Sequence, residues 1–214
     1  VNPTEGVRIL IPCHNGGDRL AAVLRGLAPL GIPVLVVDDG STDGSGEVSR
    51  KVGAEVLRLP VRSGKGSAVR RGLESLLLRA ETRWILFMDG DGQHLPSEVP
   101  RFLESMGDAD FLIGSRMGES DNFPRPRLLT NRIGSEILRL MSGHAVPDTQ
   151  CGFRAARAEL LGAMALESSG FEIETEMLLK ALKLGARWRA VPISAVYEDQ
   201  GSHFVPVSDT FRIC

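Results

Sequence analysis

The chain is poor in cysteine, and the three it has, Cys13, Cys151 and Cys214, show no CxxC and no paired spacing. This excludes a zinc knuckle and a disulfide framework and fits a reducing cytoplasm. An excess of either charge is also missing. Lys+Arg 25 against Asp+Glu 27 gives a net charge of −2, so no nucleic-acid partner is expected. Long hydrophobic runs are absent: the longest apolar stretch, residues 27–37, is broken by Pro29, Gly31 and Pro33 and is too short to span a bilayer. Neither a methionine nor a signal-like segment stands at Val1, so the native N-terminus is expected to be trimmed and any membrane anchoring to be peripheral or to lie outside these residues. Linkers, repeats and low-complexity tracts are lacking too. What remains, 214 residues with 43% hydrophobic and 24% charged, is the composition of a globular chain and suits one domain over residues 1–214.

Apolar runs that stop at polar turns recur along the chain. Residues 7–11 end at Pro12-Cys13-His14-Asn15, 32–37 at Asp38-Asp39-Gly40-Ser41, 56–59 before Ser63-Gly64-Lys65-Gly66, 84–88 at Asp89-Gly90-Asp91-Gly92-Gln93, and 111–113 at Gly114-Ser115-Arg116. Helical spacing follows the turns, with Asp18 and Asp43 as expected caps and Pro96-Ser97-Glu98 as a helix start. Strands alternating with helices predict an α/β fold with a mainly parallel sheet covered on both faces. Ligands of such sheets bind beyond the carboxyl ends of the strands, where all of these polar stops converge. Further on, the spacing predicts helices over 128–141 and about 172–184 and a strand over 188–196, while 148–154 reads as a compact polar turn.

The stretch from Met88 to His94 carries the sharpest chemistry. Two carboxylates separated by one glycine repel each other, and a hard divalent cation between them relieves that repulsion. If the segment is extended, Asp89, Asp91 and Gln93 alternate onto one side and all three can face one Mg²⁺ or Mn²⁺; a loop of solvated acids is the bland alternative. His94 reads as a polar residue near a helix rather than as a fourth ligand, since oxygen donors suit these ions. Asp38 and Asp39 are read either as acceptors for a nucleotide's ribose or base or as part of an ordinary capped turn. Lys65 fails the Walker pattern, with Leu59 and Gly66 where glycine and Ser/Thr are required. It is left as an anion partner at a helix N-terminus or a structural lysine. The basic segment with Arg116, Arg125, Arg127 and Arg132 is either a phosphate grip or a solvated face. Cys13 and Cys151 lack the His and Asp neighbours of a catalytic thiol.

Ile11-Pro12-Cys13-His14-Asn15, Val36-Val37-Asp38-Asp39-Gly40-Ser41-Thr42-Asp43-Gly44, Gly64-Lys65-Gly66 and Met88-Asp89-Gly90-Asp91-Gly92-Gln93-His94-Leu95-Pro96 together resemble a family 2 glycosyltransferase of the GT-A fold. Gly114-Ser115-Arg116, Asp148-Thr149-Gln150-Cys151-Gly152-Phe153-Arg154 and Val191-Pro192-Ile193 resemble its dolichyl-phosphate mannose synthase branch. The resemblance implies a Rossmann-like sheet and an inverting hexosyl transfer from a nucleotide-diphosphate sugar, of the GDP-mannose or UDP-glucose type, to a polyprenyl phosphate. It implies Mg²⁺ or Mn²⁺ on Asp89, Asp91 and Gln93, a nucleotide pocket lined by Pro12, His14, Asn15, Asp38, Asp39 and Lys65, and Arg116, Arg132 and Ser135 at the acceptor phosphate. The enzyme would be cytoplasmic, with peripheral contact at the inner face of the membrane. The alternative is a soluble or polymeric hydroxyl acceptor, which needs a base; Asp148 and Glu176 are the candidates. Gly16 departs from the glutamate usual after the asparagine, and Ser202-His203 stands where this branch tends to have Ser-Lys.

Overall fold

Each apolar run forms a strand. The structure, a computed structural model, describes residues 3–116 and 146–194. Its strands are β1 (Val7–Cys13), β2 (Val34–Asp39), β3 (Glu55–Leu59), β4 (Trp84–Phe87), β5 (Phe111–Ser115), β6 (Arg154–Arg157) and β7 (Trp188–Pro192). They make one sheet in the order β3-β2-β1-β4-β6-β5-β7. All neighbours pair parallel except β6, which runs antiparallel to both β4 and β5. Ile9, Leu10, Ile11, Val36, Val37, Ile85 and Leu86 have no exposed surface. Strands covered on both faces explain why the runs are continuous rather than alternating.

The helices are α1 (Gly17–Leu27), α2 (Ser45–Lys51), α3 (Lys65–Leu77), α4 (Val99–Ser105), α5 (Ala158–Gly162) and α6 (Ile173–Lys183). Helix α1 buries Leu20, Ala21, Val23, Leu24 and Leu27, and each fully buried aliphatic side chain contributes about 1.5–3 kcal/mol. Helix α3 packs on β1 and β2 and comes very close at Gly72, where a Cβ would stand 2.4 Å from Leu10 Cδ1. Among the described residues no helix is long and apolar enough to cross a membrane.

Several expectations change. Strand β6 and helix α5 arise where the sequence suggested a turn and then nothing regular. Asp18 lies inside α1 and does not cap it; the Ser45 hydroxyl accepts the Gly16 and Gly17 N–H groups from across the fold, at 2.9 and 3.1 Å, serving the orphan donors of the helix start. Asp43 is not the N-cap of α2 either; Gly44 is, and Asp43 just before it accepts the Ser45 N–H at 3.0 Å. The 128–141 segment, with Arg125, Arg127, Arg132, Ser135 and His144, lies outside the described residues, as do Ser202, His203 and Cys214.

Candidate active site at the carboxyl edge of the sheet

Strands β1, β2 and β4 deliver Pro12 to Asn15, Asp38–Asp39 and Asp89 to one edge. The direction of β5 puts Arg116 there as well. Antiparallel β6 starts at this edge, with Arg154 in register with both Phe87 and Ile113.

Asp89 is the centre of the arrangement. The Lys65 ammonium lies 2.5 Å from its Oδ1 and 2.6 Å from Glu174 Oε1 on α6. Burial opposes ionisation of Asp89, but the Lys65 charge outweighs it and holds the carboxyl at about 2. Burial likewise disfavours the charged amine of Lys65, and Asp89 and Glu174 more than offset this, raising it above its ordinary value. Gly152 makes room for the pair: a Cβ there would stand 2.6 Å from Asp89 Oδ2. Below lies a cavity of about 20 Å³ bordered by Pro12, Lys65, Asp89, Gly152, Arg154 and Glu174.

The turn after Asp89 departs from the extended segment expected. Residues 90–91 form a turn, Gly92 has φ +85°, and Asp91 Oδ1 accepts the Gln93 N–H at 3.0 Å. Strict alternation is therefore not what would aim Asp91 and Gln93; both side chains are exposed on the rim. Among the described residues no three His, Cys, Asp or Glu side chains already converge as a metal cluster. The donor chemistry still fits a hard cation: an ionised, partly exposed Asp89, an exposed carboxylate two residues on, and an amide oxygen. His94 is buried, and its Nδ1 accepts the Asp89 N–H at 3.3 Å, so this ring nitrogen is already engaged.

Adjacent Asp38 and Asp39 have separate tasks. Asp38 is fully buried and accepts the Ser41 N–H at 2.8 Å, which makes it a brace for the turn behind the cleft rather than a ligand contact. Asp39 accepts the Ser63 and Gly64 N–H groups at 2.7 and 2.8 Å, and its carbonyl accepts the His14 Nδ1–H at 2.8 Å. Asn15, at φ 55°, accepts the Thr42 N–H at 2.9 Å. His14, Asn15 and Asp39 thus form one hydrogen-bonded lip.

The glycines beside Lys65 do not make an anion nest. A Cβ at Gly64 would lie 2.3 Å from Ser169 O and one at Gly66 2.4 Å from Ser168 O, while the Ser67 N–H donates to Ser169 O at 3.2 Å. The strap before α6 occupies the helix start, and the glycines admit its backbone. Glu176, named as a base candidate, secures that strap: its two oxygens accept the Glu167 and Ser168 N–H groups, each at 2.8 Å. Asp148, the other candidate, is fully buried, and its oxygens take Arg116 Nε at 2.7 Å and Nη2 at 2.9 Å. Its geometry is that of an anchor for Arg116 rather than an exposed base. Burial pushes the Cys13 thiol up to about 11 and Cys151 to about 12, consistent with inert thiols.

Residues 8–164, more than half of the chain, match the family described as glycosyl transferase family 2. The chain belongs to that family. This glycosyltransferase is 35% identical over 209 residues to an undecaprenyl-phosphate mannosyltransferase of Micrococcus luteus, covering 91% of this chain and 85% of the relative. It is 29% identical over 216 residues to a polyprenol monophosphomannose synthase of Mycolicibacterium smegmatis, covering 94% and 81%. A solved glucosyl-3-phosphoglycerate synthase from Mycobacterium tuberculosis, in complex with Mn²⁺, uridine diphosphate and glucosyl-3-phosphoglycerate, shares the fold. Its TM-score is 0.72 at 19% identity, over 92% of this chain and 73% of that one. The sheet is accordingly of GT-A type, as the sequence resemblance implied.

Sequence reasoning missed three residues of the glycosyltransferase's cleft. Glu174 lies 109 positions from Lys65, and no local pattern announces the pair. Arg154 is 1% exposed and donates to Cys151 O at 2.6 Å, to Thr149 O at 2.8 Å and to Glu174 O. Arg154 closed a quoted motif, but nothing local announced that it holds three carbonyls. Gly152 was quoted as part of a motif, without its steric role.

Proposed function

We propose that the enzyme transfers a hexose from a nucleotide-diphosphate sugar, of the GDP-mannose or UDP-glucose type, to a polyprenyl phosphate, with inversion at the anomeric carbon. The observation that carries the acceptor is the state of the two base candidates. Asp148 is committed to Arg116 and Glu176 to the strap and Lys180, so neither is poised to deprotonate a hydroxyl. A phosphate oxygen is already ionised near neutral pH and needs positioning and charge neutralisation instead. The activities for which the two relatives are named point the same way.

In this reading Asp89, Asp91 and Gln93 hold Mg²⁺ or Mn²⁺, which as a Lewis acid would stabilise the departing nucleoside diphosphate. Pro12, His14, Asn15 and Asp39 line the nucleoside side. Asp38 stiffens the turn behind them, and Lys65 offers its ammonium to the diphosphate. Arg116, oriented by Asp148, is assigned to the acceptor phosphate with Arg132 and Ser135. The acceptor oxygen forms a bond to the anomeric carbon as the bond to the β-phosphate oxygen breaks. The same reading takes residues 1–214 as one catalytic domain, supported by the single sheet and continuous core of the described residues. It places the enzyme at the cytoplasmic face of the membrane, where a lipid-linked phosphate is reached by peripheral contact.

The test is to incubate the protein with GDP-mannose or UDP-glucose, Mn²⁺ or Mg²⁺, and a polyprenyl phosphate, and to look for a glycolipid. A product formed only with a free sugar or polysaccharide hydroxyl would favour the alternative acceptor.

A further inference from the structure

Lys65 is shared between two carboxylates that differ in how firmly they are held. Glu174 sits in the first turn of α6, and its backbone carbonyl is fixed by buried Arg154. Asp89 stands just before a turn, and its side chain is 27% exposed. The backbone of Lys65 cannot follow a ligand, because Asp39 holds the N–H groups just before it and the strap packs on Gly64 and Gly66. Its side chain can, since an ammonium on a four-carbon stem keeps three donors and can exchange one partner while retaining another. The Phe171 ring, 5.5 Å from the ammonium, adds a further favourable face.

We propose that Lys65 is the resident counter-cation of Asp89, tethered by Glu174, and that it moves from Asp89 to the donor diphosphate when Asp89 accepts a divalent cation. This rests on the reading of Asp89 as a metal ligand. Glu174 is then a positioning residue: it keeps the ammonium within reach of both Asp89 and the diphosphate. Without this partner Asp89 would lose its nearest positive charge; with it, part of the acidic charge of Asp89, Glu174 and Asp91 is offset, and the donor and cation are favoured together.

The experiment measures Mn²⁺ affinity without nucleotide, by the electron paramagnetic resonance signal of free Mn²⁺. It compares the wild-type protein, Glu174→Gln, and the double variant Lys65→Met/Glu174→Gln. The double variant removes one positive and one negative charge, so the site's net charge is unchanged and only the masking of Asp89 is lost. It should bind Mn²⁺ about tenfold more tightly, the effect of removing a competing charge-assisted hydrogen bond, while its affinity for GDP and UDP with Mn²⁺ falls. Glu174→Gln alone should shift Mn²⁺ affinity the opposite way, because Lys65 is then left to Asp89. A merely structural role would weaken binding in both. Equal or weaker Mn²⁺ binding by a folded double variant overturns the proposal. Should the double variant not fold, weaker Mn²⁺ binding by Glu174→Gln with a wild-type urea denaturation curve supports it, and unchanged binding, or weaker binding with a shifted denaturation curve, overturns it. Absence of Mn²⁺ binding by the wild-type protein, with and without nucleotide, would instead remove the metal reading itself, and this inference with it.

Discussion

Gly152→Ala isolates the geometry of Asp89 with a single methyl group. The new Cβ would stand 2.6 Å from Asp89 Oδ2 and 3.3 Å from Lys65 Nζ. Ordinary contact begins near 3.4 Å, so the carboxylate or the loop must give by about 0.8 Å. The loop resists, because Arg154 holds the carbonyls of Thr149 and Cys151 on one side of Gly152. The aspartate resists less, being short and held by Lys65 at Oδ1. A displacement approaching 1 Å at a reacting centre costs about 10²-fold in rate, near 2.7 kcal/mol, and overpacking costs about 1–3 kcal/mol of stability. The assay is kcat/KM for hexosyl transfer, measured beside a urea denaturation curve. Gly162→Ala is the control, since no atom lies within 4 Å of its Cβ, and it should leave both quantities nearly unchanged. Wild-type kcat/KM in a folded Gly152→Ala protein would refute the placement of Asp89 at the reacting centre.

Other outcomes follow from the same contacts. Asp91→Asn should abolish metal-dependent transfer while leaving the melting temperature near that of the wild type, because this exposed side chain supports only the Gln93 N–H; calorimetry and the transfer assay check both halves. Arg154→Met leaves three carbonyls without their donor and should cost about 3–5 kcal/mol in urea unfolding. Burial pushes the Glu176 carboxyl up, but the Lys180 contact and the Ser168 hydrogen bonds outweigh it and hold the group at about 2 against an ordinary 4.5. A depressed folded value means stability that is present above 4.5 and lost as pH falls toward 2, up to about 3 kcal/mol. Glu176→Gln should flatten that part of the stability profile, read by denaturation at a series of acid pH values.

Much of the sheet was legible because its signal is local. Buried parallel strands need continuous apolar runs, and each run here stops at a polar turn, so five strands and the edge where ligands bind could be read directly. Strand β6 could not, since Arg154-Ala155-Ala156-Arg157 has little strand character of its own. It exists because β4 and β5 offer it hydrogen-bonding edges on both sides. The site divides along the same line. Asp89, Asp39, Lys65 and Arg116 stood at strand or helix ends and were found from the pattern. Their partners Glu174, Ser63 and Asp148 are set by tertiary contact over tens of residues. Asp38 and Asp39 show the limit most sharply: neighbours of identical chemistry point to opposite sides of a strand, so one braces a turn and the other borders the cleft. The glycines around Lys65 suggested a phosphate cradle, yet the close approach they permit is that of another segment's backbone.

The most direct measurement of the central claim is extraction of labelled sugar into an organic phase after incubation with GDP-mannose or UDP-glucose, a polyprenyl phosphate and Mn²⁺ or Mg²⁺. The account predicts a glycolipid that forms with at least one donor, requires both the polyprenyl phosphate and the cation, and disappears in Asp89→Asn. Donor hydrolysis with every nucleotide sugar and no glycolipid with any of them would contradict it.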